Sequence, residues 1–282
     1  MWKELSLDNI LGEDLSKSLF ALVVYRLGSS YSTFLENRKT PFISLNSLSH
    51  SEFYDVLLQL DKKTKDLIIR YSKQIVEFLL EKKVSAIVVA CNTATSLALD
   101  ELNDTFKTPI IGVIDAGVKT ALYTTKNKKI GVIGTKATIN SKKYEEEIKK
   151  KDNEIEVFSK ACPLFVPAVE EGILEGKLMN QIVKTYLDEF DGKIDSLILG
   201  CTHYPLLKDV ISKIYPEINI VDPAKETALD LEKILEENHL LENDAEKGNE
   251  VEYYVTDGED KFKEVGTMFL GKNIKKVNLI KL

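Results

Sequence analysis

The chain has 282 residues, 44% of them hydrophobic and 29% charged, and a formal net charge of −7. That length accommodates two α/β domains with a core each, and the balance is that of a globular protein. The acidic surplus argues against nucleic acid or an anionic membrane as main partner. No apolar run reaches the ~18–20 residues of a membrane span. The N-terminal stretch lacks the apolar core of a signal peptide. The three cysteines make no disulfide framework, so a reducing cytoplasm is the expected compartment.

In chain order, residues 18–25 form an apolar run that fits a buried strand, and 51–60 fit a short helix, with serine-rich, turn-like sequence between them. Residues 64–83 place Ile68, Tyr71, Ile75, Phe78 and Leu79 at helical spacing and predict an amphipathic helix. A strand ending at Cys91 follows, then a helix to about Leu102 and a strand over 109–114. Lys129 to Thr135 opens another strand–helix unit, with a polar helical stretch over 138–148 and a strand over 154–158. Helices are expected from about Val169 and near 179–189, then a strand ending at Cys201 and an apolar run ending at Asp222. The remainder reads as a helix over 224–238, a polar turn-rich piece, a strand over 250–255, a helix, and a last strand near 277–280. Strands alternating with helices of this length predict parallel sheets with right-handed crossovers.

One pattern occurs twice. Ala90-Cys91-Asn92-Thr93-Ala94-Thr95 and Gly200-Cys201-Thr202-His203-Tyr204-Pro205 each follow an apolar run of buried parallel-strand type and precede a helical pattern. In both, a second apolar run ending in aspartate comes next, at Asp115 and at Asp222. The duplication predicts two half-sites related by pseudo-symmetry, with two thiols facing one ligand. A cysteine at the carboxyl end of a parallel strand sits where such sheets hold ligands. The helix behind it supplies N–H groups that bind a carboxylate and favour thiolate. Asn92, Thr93 and Thr202 add donors and acceptors suited to an amino acid. His203 is placed to support the Cys201 thiol or to bind substrate. Opposed thiols suit proton removal from one face of a stereocentre and delivery to the other.

The plainer reading of any single buried cysteine is a small hydrophobe, and Cys162, without polar followers, is assigned that role. A redox pair or a pair of metal ligands is the alternative for Cys91 and Cys201. The chain has no Cys-x-x-Cys and no second histidine cluster, so no metal is expected. His50 and His239 are assigned nothing. Gly131, Gly134 and Thr135 match neither the dinucleotide fingerprint nor a Walker loop, so a tight turn is expected, with Thr135 or Thr138 able to touch an anion. Glu170 and Glu171 read as helix N-terminal acids, either able to reach the cleft.

These two cysteine motifs resemble the signatures of glutamate racemases, within the aspartate/glutamate racemase superfamily. The segments Val132-Ile133-Gly134-Thr135, Cys162 to Gly172, Val221 to Ala224 and Phe269 to Asn278 are similar to that family too. The resemblance spans roughly residues 64–282, and His203 favours the glutamate branch over the aspartate one. It implies cofactor-independent racemisation of glutamate, giving D-glutamate for peptidoglycan in the cytoplasm. Cys91 and Cys201 would be the proton donor and acceptor pair. Asn92, Thr93, Thr202 and His203 would bind substrate, and Glu170 would be an assisting acid. The implied fold is two pseudo-symmetric α/β domains, one over 1–114 with 224–282 and one over 115–223, with the active site in the cleft between them. A homodimer is implied as well.

The first 60 residues depart from the family pattern. The family carries Asp-Ser-Gly after its first strand and Pro-Tyr-Gly before the helix that here begins near Thr64; this chain has Arg26-Leu27-Gly28-Ser29-Ser30 and Leu60-Asp61-Lys62-Lys63. Three explanations are open: an active racemase using other residues there, such as Ser29 or Ser30; a relative that binds ligand without turnover; or a misread N-terminal segment. The last predicts that the encoding DNA, read in another frame, restores both motifs; a search that finds neither eliminates it.

Overall fold

The structure, a computed structural model, describes residues 20–23, 50–238, 252–256, 258–270 and 273–281, with side chains from residue 65 onward apart from 261 and 268–270. Arg26, Gly28, Ser29, Ser30 and His239 lie outside the described residues. Strand β1 (Phe20–Val23) is followed by helix α1 (His50–Glu81), β2 (Ala86–Val89), α2 (Asn92–Thr105) and β3 (Ile110–Gly112). Next come α3 (Ile114–Thr124), β4 (Lys129–Gly134), α4 (Lys136–Asn140), α5 (Lys143–Lys151) and β5 (Glu156–Ala161). After α6 (Phe165–Glu170), α7 (Gly176–Leu187) and β6 (Ser196–Gly200), a 3₁₀ turn (Tyr204–Leu207) leads into α8 (Lys208–Ile214), β7 (Asn219–Val221) and α9 (Ala224–Glu237). The short strands β8 (Tyr254–Val255) and β9 (Asn278–Leu279) flank α10 (Glu259–Leu270).

Two parallel sheets organise the chain, in the orders β1-β2-β3 and β5-β4-β6-β7, and β8 pairs with β9. This is the α/β fold with parallel sheets that the strand–helix alternation predicts. The run at 18–25 contributes β1, which pairs in parallel with β2. β2 and β6 are buried along their whole length, which is why β2 and, after Ser196, β6 read as apolar runs.

Each sheet is covered on both faces. Ile87 and Val89 of β2 pack with Ile68 and Val76 of α1 and with Ala94, Ala98 and Leu102 of α2. The opposite face, Ala86 and Val88, packs on Leu231 and Leu235 of α9. In the second sheet, Ile130, Val132 and Ile198 pack with Ile114, Val118 and Ala121 of α3 and with Tyr144 and Ile148 of α5. Its other face, with Ile133, Leu197 and Leu199, packs on Phe165, Val169, Met179, Val183 and Val210. Thus α3 leaves the first sheet and packs on the second, while α9 leaves the second and packs on the first. The two helices meet, and Lys119 of α3 donates to Asp230 of α9 at 2.6 Å.

Three sequence-based expectations need correction. Glu170 is the last residue of α6 and Glu171 its C-cap, so neither is the helix N-terminal acid expected of a helix from Val169; that helix already starts at Phe165. The helix expected at 64–83 and the short one at 51–60 are one helix, α1; Asp61, Lys62 and Lys63 are polar but contain neither glycine nor proline, so nothing interrupts the ladder. Helix α3 was not anticipated, because the apolar residues from Ile110 to Ile114 read as one strand, whereas the chain turns helical right after Gly112.

Glycines set the approach of the central strands. Gly134 and Gly200 are register partners at the ends of β4 and β6. A Cβ on Gly200 would lie 2.6 Å from the Ile133 carbonyl oxygen and 3.2 Å from Cε2 of Tyr144. Gly200→Ala should therefore lower stability by about 2 kcal/mol through strand displacement, measured by urea denaturation; an unchanged midpoint would contradict the strand packing.

Candidate active site

Cys91 follows β2 and Cys201 follows β6, each at the carboxyl end of an interior strand. In the second sheet β4 and β6 are neighbours at the point where strand order reverses, the position at which open parallel sheets hold ligands. Both thiols are buried, each only 8% exposed, and neither forms a disulfide.

Cys91 is the N-cap residue of α2. Burial pushes its thiol pKa up, against the opposing pull of the Ala94 and Thr93 N–H groups and the Thr93 hydroxyl. Cys201 is pushed up to about 12, again chiefly by burial, with negative charge on Cys91 and Glu170 adding to the rise; the His203 N–H and the Thr202 hydroxyl oppose it. The second cysteine is not followed directly by a regular helix, as the repeat predicts. Pro205 opens a 3₁₀ turn first, and the seven-residue α8 starts only at Lys208.

The other predicted residues gather around these thiols. Asn92 and Thr93 are buried in the first turn of α2. The Thr93 hydroxyl lies 2.9 Å from that of Thr135 and 3.0 Å from that of Thr138, and Thr135 and Thr138 are 3.0 Å apart. The three hydroxyls form a triangle between the start of α2 and the end of β4. Thr135 also caps α4 by accepting from the Thr138 N–H, so the glycine-rich segment makes the tight turn expected of it. His203 Nε2 lies 3.2 Å from Glu170 Oε1, both side chains mostly buried, and the Thr202 hydroxyl lies 3.3 Å from His203 Nδ1. The structure thus brings Glu170 against His203. Cys162 is fully buried in the apolar core, as its lack of polar followers predicts.

Tyr144 was missed. Its hydroxyl donates to Asn92 Oδ1 at 2.6 Å across the two halves of the molecule. The available signal was its pairing with Ile148 as the buried positions of an otherwise polar helix. Among the described residues no group of three or more His, Cys, Asp or Glu side chains is arranged to hold a metal, and no helix is long and apolar enough to cross a membrane.

The negative charge of Glu170 disfavours the Cys201 thiolate, so Glu170→Gln should let Cys201 ionise at lower pH than in the wild type. Alkylation of Cys201 followed against pH reads this; an inflection that stays put or moves upward would contradict the electrostatics.

The model of the family described as Asp/Glu/Hydantoin racemase matches residues 59–230; residues 1–58 fall outside it, close to the break seen in the sequence. The chain is 48% identical over 213 residues to a glutamate racemase of Persephonella marina, covering 75% of this chain and 79% of that one. It is 45% identical over 212 residues to a glutamate racemase of Aquifex aeolicus, covering 75% and 80%. Among solved structures, the glutamate racemase of Francisella tularensis in complex with D-glutamate superposes with a TM-score of 0.72 at 38% identity, covering 78% of this chain and 83% of that one. A glutamate racemase isoform from Bacillus anthracis superposes with a TM-score of 0.77 at 28% identity, covering 100% and 94%. The chain belongs to the Asp/Glu/Hydantoin racemase family.

Proposed function

We propose that this protein is a glutamate racemase that interconverts L- and D-glutamate with two cysteine thiols and no cofactor. The observation that carries the mechanism is the pair of buried cysteines at the carboxyl ends of β2 and β6, each followed directly by polar residues. Because negative charge on Cys91 raises the pKa of Cys201, two thiolates are disfavoured together, while desolvation leaves each thiolate a strong base. One thiolate opposite one thiol is the state that racemisation requires. The thiolate takes the α-proton as the C–H bond breaks, and the electron pair is left on the α-carbon and its carboxylate. The opposite thiol then delivers its proton to the far face and becomes the thiolate. The product is the other enantiomer, with the two sulfurs exchanged in charge. The α-proton is a very weak acid, so the step depends on a dry cleft with preorganised donors. In this reading Asn92, Thr93, Thr202 and His203 hold the substrate, and Glu170 assists the Cys201 half-site through His203.

The relatives named glutamate racemase at 45–48% identity support the choice of glutamate, as does the D-glutamate complex of the Francisella tularensis protein. The helix exchange supports a division into 1–114 with 224–282 and 115–223, with the cleft between the two domains. Supply of D-glutamate for peptidoglycan, a cytoplasmic location and a homodimer complete the proposal. The family match that begins at residue 59, together with the missing Asp-Ser-Gly and Pro-Tyr-Gly, favours one second reading: a racemase-like protein that binds glutamate without turning it over.

L-Glutamate incubated with the protein should yield D-glutamate, with L-aspartate turned over far more slowly; binding without turnover would select the second reading. Cys91→Ala and Cys201→Ala should each lower the rate by at least about 10³-fold with an unchanged circular dichroism spectrum, and full activity in either variant would exclude the two-thiol mechanism. Since burial holds both thiols above their usual pKa, the thiolate fraction grows as pH rises. kcat/KM should accordingly increase through pH 6–8 by close to tenfold per unit, whereas a flat profile would mean the base is already ionised at pH 6.

A further inference from the structure

The geometry points to Tyr144 as the positioning residue of the first half-site: it fixes the Asn92 carboxamide so that the amide nitrogen is what Asn92 offers to glutamate. This inference rests on the racemase reading above.

Tyr144 sits on α5, in the second half of the molecule, and its ring is buried with Val118, Ile148 and Ile198. Its hydroxyl donates to Asn92 Oδ1 at 2.6 Å, and both partners are buried. A carboxamide has one acceptor oxygen and two N–H donors. With Oδ1 taken by the phenol, the Nδ2 hydrogens remain for a ligand, and donors are what a carboxylate needs. Burial keeps the phenol protonated, with its pKa far above the ordinary value, so it stays a donor across the working pH range.

The same ring borders the other thiol. A Cβ on Gly200, immediately before Cys201, would lie 3.2 Å from Tyr144 Cε2, and one on Gly117 of α3 would lie 3.3 Å from its hydroxyl oxygen. Tyr144 therefore touches the residue after one thiol with its hydroxyl and lies beside the residue before the other with its ring edge. At the second half-site the corresponding partner is different: Glu170 faces His203. Both cysteines follow a buried parallel strand, but the residues after them are held by a neutral phenol on one side and by Glu170 on the other.

The test compares Tyr144→Phe, Asn92→Ala and the double variant. Phenylalanine keeps the ring in its apolar cluster and removes only the hydroxyl. The readouts are D-glutamate affinity by calorimetry and the kinetics of L-glutamate racemisation. Tyr144→Phe should raise Kd and KM by about threefold to tenfold, the factor that a lost neutral hydrogen bond gives. It should leave kcat within about twofold, and it should add nothing once Asn92 is alanine. A Tyr144→Phe protein that binds as the wild type does, or that weakens the Asn92→Ala protein by the same factor, would overturn the proposal. The binding measurement decides this independently of turnover. A wild-type chain that binds D-glutamate without racemising it, with the Tyr144–Asn92 coupling intact, would refute the two-thiol reading and still support the positioning role.

Discussion

Desolvation of two thiols within electrostatic reach of each other is the constraint on which the rest of this structure depends. Each cysteine lies at the end of a buried strand, where burial opposes ionisation and only a few N–H and hydroxyl groups favour it. A charge on one sulfur makes a charge on the other harder to form, so in the reading proposed above only one of the pair ionises at a time. Exposing either thiol to solvent would weaken that coupling, because water screens it. The apolar strands beneath the site are therefore part of its chemistry as well as of its stability.

Holding two strand ends against each other requires the two sheets to be fixed in relation, and the exchanged helices supply this. α3 buries Ile114, Val118 and Ala121 on the second sheet, and α9 buries Leu231 and Leu235 on the first. Neither half can keep its full core without an element that starts from the other. Nearer the cleft, the threonine triangle and the Tyr144–Asn92 hydrogen bond join the same two halves. These polar contacts are short and wholly or partly buried, so they hold the first turn of α2 in place more firmly than exposed ion pairs would.

Much of this was legible in the sequence because doubly buried strands leave an unambiguous trace. The runs before Cys91 and Cys201 are apolar apart from Ser196 since both of their faces are covered, and the polar residues that follow mark where the chain reaches the cleft. His203 and Glu170 were both candidates, although nothing in the sequence said that they pair. Helix α3 escaped notice because Gly112 ends a strand inside one apolar run and helical residues follow at once. The continuity of α1 through Asp61 to Lys63 was hidden by a polar stretch that interrupts the apolar spacing. Tyr144 was illegible for a deeper reason. Its partner is 52 residues away, and a hydrogen bond formed by tertiary packing leaves no periodicity in the chain.

The most direct test of the two-thiol account is where deuterium enters at early times when L-glutamate is racemised in deuterated water. Two bases on opposite faces predict that the D-glutamate formed carries deuterium at Cα while the remaining L-glutamate keeps its proton. Deuterium building up equally in both enantiomers from the start would mean that one group serves both faces, and would contradict the division of labour between Cys91 and Cys201.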